Sequence, residues 1–260
     1  LAFSIGRMAA GDAAGLDALW NARHTVAAQA APETLAELIA DREARLDAYG
    51  GARYVERYRA LVNAARAKGD DALTRAVATT FYRLLAVKDE YEVARLYADG
   101  AFRTALEAQF EGVPGQAYRV KFNLAPPTVA KAGSDGSVPK KRVFGQWMWP
   151  VFGMLARVRS LRGTWLDPFG RTAERRMERA LADDYETTLT RALAALTAGN
   201  AAQVAQLADL HARVRGFGHV KVRNLAGVKR TERELALQLG IDAATSAAVQ
   251  HALDEMKGAG

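Results

Sequence analysis

Apolar residues recur at the 3.6-residue spacing of an α-helix along most of this chain, which predicts a mainly helical fold. The first predicted helix begins at Pro32 and runs to Tyr49, and the Gly50-Gly51 pair ends it. The same spacing predicts further helices over residues 53–68, 71–98, 147–160, 172–196, 200–210, 220–239 and 243–256.

One segment instead alternates apolar and polar residues, which is typical of a half-buried β-strand. This segment runs from Ala117 to Ala125 and is stopped by Pro126-Pro127. After a Gly/Ser-containing loop, the sequence KKRVF (140–144) is suited to a returning strand. The sequence therefore predicts a mainly α fold, a multi-helix domain with one small β-hairpin at about residues 117–144.

The whole chain has a net charge of +7, and its positive charge is concentrated in the second half. Between Arg119 and Arg179 thirteen Lys and Arg residues face four acids, and six basic residues between Arg213 and Arg230 face none. The rest of the chain is therefore net acidic. Such polarity favours an anionic partner, namely nucleic acid, a phosphorylated cofactor or an acidic protein face. The alternative is that a neighbouring domain of the same polypeptide neutralises the basic surface.

Familiar catalytic patterns are missing from the sequence. The chain has no cysteine, which excludes disulfides, thiolate zinc sites, cysteine nucleophiles and iron–sulfur ligation by these residues. It also has no Walker-type loop, nucleophile elbow or His-Glu-x-x-His pattern. Its four histidines are scattered without ligand spacing, and Gly216-Phe217-Gly218 is interpreted as a turn between helices. We therefore expect no catalytic residue, metal site or bound cofactor within this segment.

The longest apolar stretch, residues 143–156, is shorter than the roughly 20 residues needed to span a bilayer. Pro150 and two glycines also interrupt it. We expect a cytoplasmic protein without membrane contact. Because the chain begins at Leu1 without a leader pattern, we also expect it to be a piece of a longer polypeptide.

The segment LRGTWLDPFGRTAERRMERA (161–180) combines basic residues with Gly, Pro and capping residues, so it predicts a basic helix with a defined start. Arginine forks suit phosphate or carboxylate groups. They equally suit pairing with acids of the N-terminal half, such as those in KDEYE (88–92), and the sequence leaves both interpretations open. The candidates for binding an anion or a partner are Arg162, Arg171, Arg175, Arg176, Arg179, Arg215, His219 and Lys221.

Five separate segments together resemble one known family. They are KDEYEVARLY (88–97), KFNLAPP (121–127), FGQWM (144–148), LRGTWLDPFGRTAERRMER (161–179) and RGFGHVKVRNL (215–225). In this order they resemble the C-terminal region of the long, fused indolepyruvate ferredoxin oxidoreductases over about residues 73–225. Two positions depart from the family pattern: Arg171 where tyrosine is expected, and Gln146 where proline is usual. The opening AFSIGRMAA (2–10) resembles the closing helix of the family's gamma-type domain, which divides the chain into a tail at 1–30 and a C-terminal domain at 31–260.

The resemblance implies a parent enzyme that oxidatively decarboxylates an aryl 2-oxoacid to its acyl-CoA and reduces ferredoxin. It implies thiamine diphosphate, magnesium, iron–sulfur clusters and CoA for that enzyme, and the catalytic domains of the same polypeptide, ferredoxin and further copies of the chain as partners. None of the cofactor motifs lies in this segment, which is expected to serve domain docking, assembly or a substrate or CoA channel. The motif residues expected to be structural are Lys88, Asp89, Glu90, Tyr91, Asp167, Pro168, Gly216 and Gly218. The alternative is a stand-alone basic helical module that binds nucleic acid or another anionic partner.

Overall fold

The computed structural model describes residues 34–110, 118–124, 142–215 and 218–258, together with positions 12, 14, 15 and 112. For residues 218–220 and 256–258 it describes the backbone alone. Backbone contacts divide the chain into two units, residues 1–38 and 39–260. The predicted domain boundary near residue 30 stays a prediction. The motif at residues 2–10 lies outside the described residues, as do residues 125–141, which contain the predicted hairpin loop.

The described part of the chain is mainly α-helical, as the sequence predicts, with a single two-stranded antiparallel sheet. Two short 3₁₀ turns lie at Arg159–Leu161 and His211–Arg213. The elements are α1 (Leu35–Gly50), α2 (Ala52–Arg66), α3 (Asp71–Leu85), α4 (Glu90–Ala98), α5 (Gly100–Gln109), β1 (Phe122–Leu124), β2 (Arg142–Phe144), α6 (Met148–Arg157), α7 (Ala173–Ala194), α8 (Ala201–Leu210), α9 (Gly218–Leu239) and α10 (Ala247–Gly258).

The helix predicted over residues 71–98 is in fact two helices, α3 and α4. The break falls where Asp89 takes an extended backbone conformation and its side chain accepts a hydrogen bond from the amide of Glu92 at 2.8 Å. A carboxylate in this position satisfies one of the free amides at a helix start, so it favours a new helix over continuation. The prediction of one long helix was therefore wrong.

Helix α5 was not predicted. Asp99 begins it by accepting a hydrogen bond from the amide of Ala101 at 3.0 Å. The helix buries no residue completely, and its apolar face is short, with Phe102 and Leu106 half-buried, so the sequence pattern is weak over these ten residues.

The predicted hairpin is present, but each strand has only three residues. Phe122 lies opposite Phe144, and Leu124 lies opposite Arg142. Phe122 packs with Met148 and Phe152 of α6 and with α4, so the hairpin covers the α4–α6 pair.

The larger helical core joins α2, α3 and α7 through stacked aromatic rings. The rings of Tyr58 and Phe81 lie 6.4 Å apart, and those of Phe81 and Tyr185 lie 5.8 Å apart. A second apolar cluster, built around Met177, Leu181, Leu225, Val249 and Leu253, packs α7 against α9 and α10. Since α7 belongs to both clusters, its N-terminal end is held firmly where it meets the loop that precedes it.

Candidate functional site

A cleft of about 360 Å³ opens beside the loop at residues 158–172. Its lining comes from the end of α1, the start of α2, the α3–α4 junction, this loop and the first half of α7. The cleft therefore lies where the KDEYE motif meets the LRGTWLDPFG motif, although more than 60 residues separate the two in sequence.

A buried ion pair between Arg162 and Asp89 forms the floor of the cleft. Arg162 Nε donates to Asp89 Oδ2 at 2.5 Å and Arg162 Nη2 donates to Asp89 Oδ1 at 3.0 Å. Arg162 Nη1 donates to the carbonyl oxygen of Tyr49, and the guanidinium carbon lies 3.6 Å from the centroid of the Tyr49 ring. Burial, with the added charge of Asp89, raises the pKa of Tyr49 well above its usual value. Because Arg162 is only 4% exposed, its charge is compensated inside the protein by Asp89.

Asp167 organises the turn that follows Arg162. Its two carboxylate oxygens accept hydrogen bonds from the amides of Gly163, Phe169 and Gly170 at 2.7, 3.0 and 2.9 Å. The hydroxyl of Tyr91 donates to the same carboxylate at 3.2 Å. Burial alone favours the neutral acid, but these donors outweigh it and lower the pKa of Asp167. Burial and the Asp167 charge together raise the pKa of Tyr91 to about 12.

Gly163 and Gly170 are required at their positions in this turn for different reasons. Gly163 has a φ of +70°, a conformation that side chains disfavour. A Cβ at Gly170 would lie 2.3 Å from Asp167 Oδ2 and 3.0 Å from Arg179 Nη1. The two glycines identified in the sequence therefore allow the backbone amides of this turn to reach the Asp167 carboxylate.

Arg175 is held by acids on both sides. Its Nη1 donates to Glu178 Oε2 at 2.6 Å, and its Nη2 donates to Glu90 Oε1 at 3.3 Å and to the carbonyl of Lys88 at 3.1 Å. Lys221 of α9 donates to the second oxygen of Glu178 at 2.5 Å. Arg175 therefore pairs with an acid of the KDEYE motif. This is one of the two interpretations that the sequence left open.

The other sequence-predicted residues are less involved in the cleft. Arg179 lines it and donates to the carbonyl of Gly170 at 2.6 Å. Arg171 is exposed and donates to the carbonyl of Trp165 at 2.9 Å. Arg176 is exposed on α7, and Arg215 donates to the carbonyl of Ala212 at 3.2 Å.

Lys88 and Pro168 are also exposed. The backbone of Gly218 begins α9, whereas Gly216 and the side chain of His219 lie outside what the structure describes.

Sequence analysis did not identify the wall of the cleft formed by α1 and α2. Arg53 donates to the carbonyl of Arg162 at 2.5 Å, and Arg57 binds Asp183 and Glu186, each at 2.6 Å. A signal was present in the sequence YGGARY (49–54). Gly51 has a φ of +77°, and a Cβ at Gly50 would lie 2.2 Å from the ring of Tyr54.

No group of three or more His, Asp or Glu side chains within the described ranges has a metal-binding arrangement. Within those same ranges, no helix is long and apolar enough to cross a membrane.

Fold and cleft together define the class of protein: a mainly α-helical domain with a small hairpin and a cleft rich in charged residues. The chain belongs to DUF6537, a family of unknown function, which matches residues 35–234. No curated protein and no solved structure matches this chain significantly.

Proposed function

We propose that this chain is a non-catalytic domain of an indolepyruvate ferredoxin oxidoreductase. Such an enzyme converts an aryl 2-oxoacid to its acyl-CoA by thiamine diphosphate-dependent oxidative decarboxylation and passes the electrons to ferredoxin. The cofactors belong to other domains in this proposal, since the chain has no cysteine for cluster ligation. The domain docks on the catalytic domains of the same polypeptide, in a cytoplasmic homo-oligomer, and borders the channel for substrate or CoA.

The observation that carries this proposal is the meeting of all five resembling segments in the fold. Asp89 of KDEYEVARLY pairs with Arg162 of LRGTWLDPFGRTAERRMER. Lys221 of RGFGHVKVRNL pairs with Glu178 at the end of the same segment. These three segments therefore lie together around the cleft.

The two remaining segments meet the first in the apolar cluster around the hairpin. The ring of Tyr97, from KDEYEVARLY, lies 5.1 Å from the ring of Phe122, from KFNLAPP. Met148, which ends FGQWM, is buried in the same cluster. The resemblance therefore covers a connected part of the domain.

A docking role is also supported by exposed apolar side chains in the longest of these segments. Trp165 is 80% exposed and its neighbour Leu166 is 50% exposed. Large apolar residues on a surface are typical of contacts with another protein. In this proposal they contact the catalytic domains.

The proposal is tested first by the reading frame upstream of Leu1. We expect cysteine clusters and a Gly-Asp-Gly thiamine signature there, and a start codon immediately before Leu1 would contradict the proposal. The parent polypeptide should then reduce ferredoxin in the presence of an aryl 2-oxoacid and CoA. Removal of residues 31–260 should lower its turnover or its assembly, and unchanged turnover and assembly would refute a docking role.

A matched pair of variants separates docking from folding. Trp165→Ser in the parent polypeptide should lower assembly or turnover several-fold, since one buried aromatic residue at an interface contributes about 2 kcal/mol or more. Leu237→Ser is the control, because Leu237 is also 80% exposed but lies on α9 outside the five segments. Equal effects of both substitutions would contradict the docking role of Trp165.

The alternative, a stand-alone module that binds nucleic acid, makes a different prediction. Its affinity for DNA or RNA should fall steeply as salt rises, because each phosphate contact releases counterions. Arg162, Arg175 and Lys221 already pair with carboxylates, which leaves fewer free cations for phosphates. Salt-dependent retention of DNA or RNA by the chain would favour this alternative over the oxidoreductase domain.

A further inference from the structure

Two arginines that line the cleft have no carboxylate partner within the part of the chain that the structure describes. Arg57, Arg162 and Arg175 each pair with at least one acid. Arg53 and Arg179 instead donate to backbone carbonyls, Arg53 to that of residue 162 and Arg179 to that of residue 170. Each guanidinium carries five N–H donors, so one hydrogen bond leaves most of its donors available.

These two arginines contact the same loop, residues 158–172, from two different helices. Arg53 comes from α2 and reaches the carbonyl oxygen of Arg162 at 2.5 Å. Arg179 comes from α7, and its Cδ lies 3.7 Å from the position that a Cβ on Gly163 would occupy. Because Gly163 has no side chain, the backbone at this position stays uncovered beside Arg179.

Five acids also line the cleft, and four of them pair with Arg57, Arg162, Arg175 or Lys221. Asp167 is the fifth, and its charge is compensated by hydrogen-bond donors. Its oxygens accept three amide hydrogen bonds and one from the hydroxyl of Tyr91. No ion pair joins Asp167 to Arg179 in the described structure, although both border Gly170. Arg53 and Arg179 are therefore the arginines of the cleft lining whose charge no acid of the described residues compensates.

Part of the cleft wall suits the apolar body of a small molecule. Tyr54 and Phe169 contribute ring surfaces, and Leu84 and Val87 contribute aliphatic ones. A volume of about 360 Å³ is at the lower end of the range for small-molecule sites.

We propose that the cleft binds a small organic anion whose carboxylate or phosphate group is held by Arg53 and Arg179. The body of the ligand lies against Tyr54 and Phe169. Planar guanidinium forks match the two oxygens of either anionic group, and the partly enclosed setting strengthens such contacts. This site does not rest on the function proposed above, since its binding belongs to the isolated chain.

The experiment is calorimetric titration of the 260-residue chain with three probes of similar shape: phenyl phosphate, phenylacetate and the neutral 2-phenylethanol. At least one anion should bind with a Kd below about 1 mM, and the neutral probe should not. Preference for phenyl phosphate would identify a phosphate site, and preference for phenylacetate a carboxylate site.

Single substitutions then assign the binding to the two arginines. Arg53→Gln and Arg179→Gln should each lower the affinity for the anion by about tenfold or more, since each removes charge-assisted hydrogen bonds. Arg176→Gln is the matched control, because Arg176 is exposed on the same helix as Arg179 and does not line the cleft. The affinity of this control variant for the anion should stay within about twofold of that of the unmodified chain.

A folding defect is separated from loss of binding by circular dichroism and by the variant at Arg53, which is exposed and is expected to fold normally. Two results would overturn the proposal: no binding of either anion at about 10 mM, or binding that neither glutamine variant at Arg53 and Arg179 weakens. Both results concern the chain alone, so they differ from a failure of the oxidoreductase test, which concerns the upstream sequence and ferredoxin reduction.

Discussion

Two buried charge networks in this domain use similar residues in different surroundings. The cleft network consists of Asp89, Arg162 and Asp167, with Tyr49 and Tyr91, and it ties an irregular loop to α1 and α4. The core network consists of Asp184, His211, Lys229 and Glu232, and it connects α7, the end of α8, α9 and the start of α10.

The networks differ in how many acids compensate each cation. Arg162 has Asp89 as its one carboxylate partner in the described structure. Lys229 has two, with its Nζ 2.7 Å from Glu232 Oε2 and 3.5 Å from Asp184 Oδ2, and it also donates to the carbonyl of Ala244 at 2.9 Å. A buried charge that loses its only partner is costly, whereas one with a second partner stays compensated. The buried charge of Arg162 therefore depends on one carboxylate, whereas that of Lys229 does not.

The variant with the largest expected effect tests this comparison directly. Asp89→Asn should lower the free energy of unfolding by about 3–5 kcal/mol, because it leaves Arg162 buried without a carboxylate. Glu232→Gln should cost about 1–3 kcal/mol, since Asp184 still faces Lys229. Urea unfolding of both variants measures the difference, and a larger loss for Glu232→Gln would reverse the comparison.

A glycine pair tests how closely the cleft network is packed. Gly170→Ala should lower the free energy of unfolding by about 1–3 kcal/mol, because the new Cβ displaces an Asp167 carboxylate fixed by four donors.

Gly153→Ala is the matched control for this packing test. Gly153 lies inside α6 with open space around it, so alanine there should stabilise the chain by about 0.5–1 kcal/mol. Thermal unfolding of both variants shows whether each substitution raises or lowers the stability. A change in the same direction for both variants would contradict the packing argument.

Acidification should weaken both networks. Burial raises the pKa of Glu232, but His211 and Lys229 outweigh it, so the net pKa of Glu232 is lowered, as is that of Asp167. A carboxylate with a lowered folded-state pKa contributes stability above its unfolded pKa, and this stability is lost as pH falls through the folded-state value. The free energy of unfolding should therefore decrease as pH falls below about 4.5.

The variant Glu232→Gln removes one of these two titrating groups. Its unfolding free energy should change less with pH in the acid range than that of the unmodified chain. Urea unfolding at a series of pH values below about 5 measures both slopes. Identical slopes would show that the core network contributes nothing to the acid sensitivity.

The smallest expected effect lies on the exposed side of the basic helix. Arg176→Gln should change the free energy of unfolding by no more than about 0.5 kcal/mol, because the side chain is exposed on α7. Arg175→Gln, at the adjacent position but paired with Glu90 and Glu178, should cost distinctly more. Equal effects in urea unfolding would mean that the pairs around Arg175 add no stability.

Most helices were predictable because their apolar stripes are strong and their ends carry capping residues. The helix from Ala173 to Ala194 lies close to its predicted bounds, and Thr172 caps it by accepting a hydrogen bond from the amide of Arg175 at 3.3 Å. The break at Asp89 was missed because the apolar spacing continues through it. A local pattern does not reveal that the carboxylate there has a second role as the partner of Arg162.

The cleft was only half predictable. Its glycines, Asp167 and the arginines of one segment were visible as an unusual local sequence, because backbone demands of a turn act over a few residues. Arg53 and Tyr54 were missed, since the glycine pair before them indicates a tight turn but does not show that α2 packs beside residues 162–170.

The sequence by itself determined the mainly helical class, the short hairpin and the basic segment at residues 161–180, because periodicity, turns and caps are local properties. Only the tertiary structure decided which arginines are already paired and which face the cleft without a carboxylate. That distinction depends on contacts between residues up to 129 positions apart, such as Arg57 with Glu186. The charge of an arginine is set by its chemistry, but its availability to a ligand is set by what folds against it.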